Sequence, residues 1–190
     1  AYTVTRLTQW PLTEGYLQRY FTRLLADNEV ERAQMTHRRL REALGRVEGG
    51  TPLARTVTHV YWAAAAQARP TELLADGIKE IAAMATPTTL ADAQMPADLL
   101  ALAYPLLLQA QRGDEAKTLH ETFQAALGKL EQSDLLQRAD TVAYLQSLAG
   151  PQPQAFLARA QPLLAQAGES KTADDLRPLL DLARTTYATL

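Results

Sequence analysis

Apolar residues recur along this 190-residue chain at helical spacing, and each run is cut by proline or glycine before the next begins. The cuts fall at Pro52, Pro70, Pro87, Pro96, Gly113, Gly150–Pro151 and Gly168. Between them nothing alternates with period two over a useful length. A period near 3.6 with frequent breakers specifies short helices that each bury one stripe, with almost no strand. Because 47% of the residues are apolar and only 6% aromatic, the core is mainly Leu, Ala and Val, which suits close helix–helix packing.

The stripes place the elements. Pro11 suits a first helical turn, and Leu12, Tyr16, Tyr20 and Leu24 follow it. Residues 1–10 form an entry arm before this helix. Asn28 with Glu31 forms a capping-box pattern ahead of Val30, Ala33, His37, Leu40, Leu44 and Val47, whose spacings of three and four are the seam of two nearly parallel packed helices. A turn at Asp27–Asn28 makes the two an antiparallel hairpin; one continuous helix of about 35 residues is the competing reading. Thr51, Thr71, Asp114 and Ser133 are read as caps of later helices, and residues 87–96 as a connector with a short helix. Leu99–Leu107, Gly113–Asp114 and Ala116–Leu130 form a second hairpin, interrupted by Pro105. An interior proline removes one backbone hydrogen bond and costs about 3 kcal/mol, so a kink or break is expected there and at Pro162 and Pro178.

Internal echoes are faint. Ala66–Glu72 resembles Ala110–Glu115, Pro105–Ala110 resembles Pro162–Ala167, and Thr51–Pro52 and Thr86–Pro87 lie 35 apart. These spacings share no period, so the hairpins look built alike without a strict repeat. Leu100–Leu127, with the turn Gly113-Asp114-Glu115-Ala116 and the packing pair Phe123 and Ala126, resembles one degenerate tetratricopeptide-type repeat. It departs from that pattern at Tyr104, in a short turn, and in lacking a proline after Leu130. The resemblance implies an α-solenoid that binds another protein or peptide in a groove.

Charge and composition exclude several classes. The net charge is −2, so no whole-molecule attraction to nucleic acid is expected. Residues 1–60 hold nine Arg against six acids and residues 61–190 hold ten bases against fifteen acids, a polarity that orients the chain against a charged partner or simply solvates two halves. With no cysteine, disulfides, thiolate metal sites and cysteine nucleophiles are ruled out. Fifteen Arg against four Lys point to a GC-rich, bacterial source. The most apolar window, Leu99–Leu108, is half the roughly 20 residues a membrane span needs, so a soluble protein without membrane insertion is expected, its compartment open. An N-terminal Ala1 fits initiator removal, signal cleavage or excision from a longer protein equally.

Candidate sites are few. His37 and His59 are read as core-side histidines and His120 as lying at a polar edge. No His-x-x-x-His or His-Glu-x-x-His spacing exists, so no metal and no cofactor is expected. Arg32, Arg39 and Arg46 are seven apart on one helix side, where guanidinium forks match acidic groups, although interleaved Glu29, Glu31, Glu42 and Glu48 equally make a solvated face. Tyr16, Tyr20, Tyr61 and Trp62 belong to an early aromatic cluster; rings give contact area at low entropy cost, or close the core. No serine stands in a nucleophile elbow, and acidic pairs such as Asp114–Glu115 sit at helix starts where they complement the dipole. The expected protein is all-α, eight or nine helices in consecutive antiparallel hairpins, arranged as a right-handed tetratricopeptide-like solenoid or else a compact irregular bundle. It is expected to be one domain, with a possible division into 1–86 and 97–190. The expected function is non-enzymatic interaction with another protein or peptide through Tyr16, Tyr20, Arg32, Arg39, Arg46, Tyr61 and Trp62. A ligand-binding sensor using Tyr16, Tyr20, Tyr61, Trp62 and His37, and an enzyme without recognisable motifs, are the alternatives.

Overall fold

A computed structural model describes residues 10–47, 49–165 and 172–190. The entry arm before Trp10 and the break at Gly168 lie outside them. Every regular element among the described residues is helical: α1 (Trp10–Ala26), α2 (Val30–Gly45), α3 (Thr51–Ala68), α4 (Pro70–Glu72) running into a π turn at Leu73–Gly77, α5 (Ile78–Met84), α6 (Leu90–Gln109), α7 (Gly113–Leu127), α8 (Asp134–Leu148), α9 (Pro153–Ala165) and α10 (Ala173–Thr189). The all-α expectation therefore holds. None of these helices is long and apolar enough to cross a membrane.

The chain forms two compact units, residues 1–77 and 78–190. In the first, α1 lies along α3 and α2 packs on α3. In the second, α6 packs on α8 and α7, and α10 on α8 and α9. The expected connector at 87–96 contracts to 85–89, because Thr89 caps α6: its hydroxyl accepts a hydrogen bond from the Asp92 N–H at 3.2 Å. Helix α6 then runs unbroken through Pro96, read from the sequence as the end of the connector, and through Pro105, where a kink or a break was expected. Its burial explains this. Leu99, Leu100, Tyr104, Leu107 and Leu108 are all buried, and each large side chain contributes about 1.5–3 kcal/mol, enough to offset two lost backbone bonds.

Ser133 is the N-cap residue of α8, as expected, with its hydroxyl donating to the Leu127 carbonyl at 2.7 Å; the other caps differ from expectation. Pro70 takes the first helical position and Pro52 the second, which moves the cap back to Arg69 and Gly50. Helix α7 is capped by Arg112, two residues before Asp114. Asn28 is no N-cap. It adopts φ 66°, and the following Glu29 N–H donates to the Leu24 carbonyl at 2.8 Å, the left-handed closure that ends a helix. Gln111 does the same at φ 63°, with the Arg112 N–H donating to the Leu107 carbonyl at 2.8 Å. Left-handed backbone is costly for a residue with a Cβ. Gln111→Gly is expected to stabilise the protein by about 0.5–1 kcal/mol, seen as a melting temperature raised by about 1–4 °C.

Asn28 and Gln111 are 83 residues apart, and this spacing runs through both units. Leu24, Ala33, His37, Leu44, Thr58, Tyr61 and Pro70 recur as Leu107, Ala116, His120, Leu127, Thr141, Tyr144 and Pro153. Gly49, at φ 71°, recurs as Gln132, at φ 58°. Phe21 and Tyr61 meet edge to face at 5.3 Å; so do their counterparts Tyr104 and Tyr144, at 5.3 Å. His37 stacks on Tyr61 and His120 on Tyr144, both at 4.4 Å. The same three-ring core is thus built twice. The short echoes at spacings of 35, 44 and 57 gave no common period because the matching residues are scattered core positions rather than strings. Phe123 on α7 is fully buried, and Phe123→Ala is expected to cost about 3–5 kcal/mol in equilibrium unfolding.

Candidate functional site

The second unit carries a polar cluster that its first-unit counterpart lacks. Asp140, on α8, is 3% exposed. Three side chains donate to its carboxylate: the Tyr104 hydroxyl from α6 to Oδ1 at 2.9 Å, His120 Nδ1 from α7 to Oδ2 at 2.9 Å, and Gln124 Nε2 from α7 to Oδ2 at 2.8 Å. Gln124 also donates to the Gln137 carbonyl at 2.9 Å. A buried carboxylate is tolerated only when its oxygens are satisfied in this way. The acid in turn pushes the Tyr104 hydroxyl far above the ordinary tyrosine range, after burial, the larger cause.

An ionised carboxylate only accepts hydrogen bonds. A proton on His120 Nδ1 therefore faces the acid, and in the neutral ring Nε2, on the side away from Asp140, is the hydrogen-bond acceptor. The His120 side chain is 15% exposed. With Tyr144 it forms part of an open cleft of about 550 Å³ between α7, α8 and α9, which Lys117, Thr141, Leu145 and Arg159 also line. Lys117 pairs at 3.7 Å with Glu121. The Thr141 hydroxyl is engaged, donating to the Gln137 carbonyl at 2.8 Å.

At the equivalent positions of the first unit, Phe21 replaces Tyr104 and Val57 replaces Asp140. There His37 is 7% exposed, with Nε2 3.4 Å from the Thr58 hydroxyl. Burial, then the positive charges of Arg41 and Arg38, lower its pKa to about 4. Trp62 stands where the second unit has Leu145, and its ring lies 4.7 Å from Tyr61 and 6.3 Å from His37. The ring leaves no room for a side chain on α4's continuation: a Cβ on Gly77 would come within 2.8 Å of Trp62. The second unit has Ala160 there. Trp62 and Gly77 in the first unit thus stand at the positions of Leu145 and Ala160 in the second, where Leu145 lines the open cleft.

The residues singled out from the sequence separate into two groups. Tyr61 and Trp62 are core, buried by α1 and α2 against the middle of α3. They do not join the expected face, because both lie on the buried side of α3. Tyr16 is 66% exposed, with Arg19 over its ring at 4.9 Å. Tyr20, Arg32, Arg39 and Arg46 are exposed; Arg32 bonds Glu29 at 2.8 Å, and Arg46 approaches Glu42 at 4.0 Å. His37, Tyr61 and Trp62 pack on one another, so the ring set proposed for a sensor fills its own space. A second hollow of about 410 Å³ lies between α1 and α3, lined by Gln18, Arg19, Thr22, Arg23, Ala26 and Gln67; no buried titratable group faces it. Among the described residues, no three His, Cys, Asp or Glu side chains group as a metal site.

The sequence places Leu135, Ala139, Val142, Leu145 and Leu148 on the inner stripe of α8; Val142, Leu145 and Leu148 are buried there and Leu135 is 44% exposed. Asp140 and Tyr144, buried beside them, were missed because a stripe drawn through apolar residues passes over an acid. The signal that finds the acid is the comparison of His37, Thr58 and Tyr61 with His120, Thr141 and Tyr144. No protein-family model, curated protein or solved structure matches the chain.

Proposed function

We propose that this chain is a non-enzymatic protein-interaction module, its consecutive hairpins stacked as a tetratricopeptide-like solenoid, and that the α7–α8–α9 cleft receives a segment of the partner. The observation that carries this reading is the opening of a ring-floored cleft in one of two otherwise matching units. The scaffold folds without Asp140, as Phe21 and Val57 attest in the first unit, so the buried acid is best understood as serving the histidine it orients. The groups around the cleft supply ring surface, a hydrogen-bond acceptor and exposed cations, which is binding chemistry. First helices of successive hairpins begin at Trp10, Thr51, Leu90, Asp134 and Ala173, a cadence of about forty residues that supports the stacked-hairpin arrangement. The exposed Tyr16, Tyr20, Arg32, Arg39 and Arg46 remain a second contact surface in this reading.

Isolation of the tagged chain from its own cells under native conditions tests the proposal. Size exclusion with mass measurement is expected to show a stoichiometric complex with a different polypeptide. Elution as the chain alone, together with turnover of a metabolite by the purified protein, overturns it.

A further inference from the structure

We infer that the α7–α8–α9 cleft is specific for a tryptophan side chain of the partner, flanked by an acidic residue. This rests on the interaction reading and names its ligand. Three observations carry it. First, the equivalent position in the same chain is filled by an indole, Trp62, lying against the His37–Tyr61 stack, and the His120–Tyr144 stack has the same 4.4 Å separation. The second unit has the same ring pair with the smaller Leu145 in place of the indole, and His120, Tyr144 and Leu145 line its open cleft, which a ring brought by another chain would enter. Second, Asp140 lies 2.9 Å from His120 Nδ1, which places the proton of a neutral ring there and makes Nε2 its hydrogen-bond acceptor. Of the apolar aromatic side chains, the indole brings an N–H donor and phenylalanine none. Third, the cations of the rim outnumber its acids. Lys117 is engaged with Glu121, while Arg159 is exposed and lines the cleft, positioned for a carboxylate next to the ring. The charge of Asp140 lies beneath and is taken up by Tyr104, His120 and Gln124.

The test uses the full chain and four probes: a capped Glu-Asp-Trp-Asp-Glu peptide, the same peptide with Ala for Trp, the same with Lys flanks, and free indole-3-acetate. Binding is read from the ring signals of His120 and Tyr144 by NMR. The acidic Trp peptide is expected to shift both signals saturably, and the Ala peptide to shift neither. Lys flanks, or Arg159→Glu, are expected to weaken binding about two- to fivefold, the scale of an exposed ion pair. The double variant Leu145→Trp with Ala160→Gly copies the first unit's own filling and is expected to weaken binding more than about tenfold, a loss of roughly 1.4 kcal/mol, while keeping the helical circular-dichroism spectrum. Equal binding of the Ala peptide, or a preference for Lys flanks, overturns the inference. So does unchanged binding in a folded double variant. If that variant does not fold, Arg159→Glu and the Ala peptide decide alone. Indole-3-acetate binding without any peptide binding assigns the cleft to a small molecule and overturns the peptide source. A native complex with another polypeptide that forms equally well in Arg159→Glu, alongside failure of every probe, removes this inference and leaves the interaction reading standing.

Discussion

Asp140→Val is expected to destabilise the protein by about 2–4 kcal/mol, and adding Tyr104→Phe is expected to restore most of that loss. Removing the carboxylate strands the fully buried Tyr104 hydroxyl and deprives His120 and Gln124 of their acceptor. A stranded buried donor costs about 1–3 kcal/mol, whereas replacing both partners by apolar groups of matching shape is nearly neutral. The first unit has already made that double exchange, with Phe21 and Val57 at the same positions. Urea unfolding of the two single variants and the pair gives the coupling directly. Additive effects would mean that Tyr104 and Asp140 are not one energetic unit. Because the double variant keeps the ring stack but frees the His120 tautomer, it also separates the fold's need for Asp140 from the cleft's.

His37 predicts a pH dependence of the opposite unit. In the unfolded chain it takes up a proton near pH 6.5; in the folded chain burial and the neighbouring Arg41 and Arg38 delay this to about pH 4. The folded state therefore binds fewer protons across that window. Stability is intact above pH 6.5 and falls as pH drops from 6.5 to 4, by about 3 kcal/mol in total. His37→Phe keeps the stack on Tyr61 and strands no donor, since the Thr58 hydroxyl donates to the Ala54 carbonyl at 3.1 Å. The variant is expected to remove this slope, measured as the difference between the two proteins' unfolding free energies at pH 7 and pH 4.5. Parallel curves would show that His37 reaches solvent and titrates normally.

Much of the fold was legible. The apolar stripes of α2, α3 and α7 include many buried residues, from Ala33 and His37 through Val57 and Val60 to Leu119, Phe123 and Leu127, although Val30, Leu40 and Leu44 are half-buried and Val47, beyond the end of α2, is exposed. Those helices have one oily face, and the period alone identifies it. The stripe failed in two kinds of place. In α8 the stripe found Val142, Leu145 and Leu148 but started on the exposed Leu135 and passed over the buried Asp140, because a search for apolar residues does not select an acid. Beyond Pro70 the spacing puts Leu74, Ile78, Ile81 and Ala85 on one stripe; Ile78, Ile81 and Ala85 are buried, but the π turn at Leu73–Gly77 inserts an extra residue into the helical count, and Leu73 is buried where Leu74 was expected. Proline misled in the other direction. Its local cost was read correctly at Pro105, but the burial that offsets it is a property of α6's neighbours.

What the sequence alone determined was the list of helices and, for most, the face that turns inward, because both follow from local spacing and from breakers acting within one turn. The candidate site was decided only in three dimensions. His120, Asp140 and Tyr104 come from three helices, and their convergence depends on how α6, α7 and α8 cross. Leu145 and Trp62 look equally apolar along the chain. That Leu145 lines an open cleft while Trp62 packs against Gly77 depends on what the neighbouring helices bring to each position.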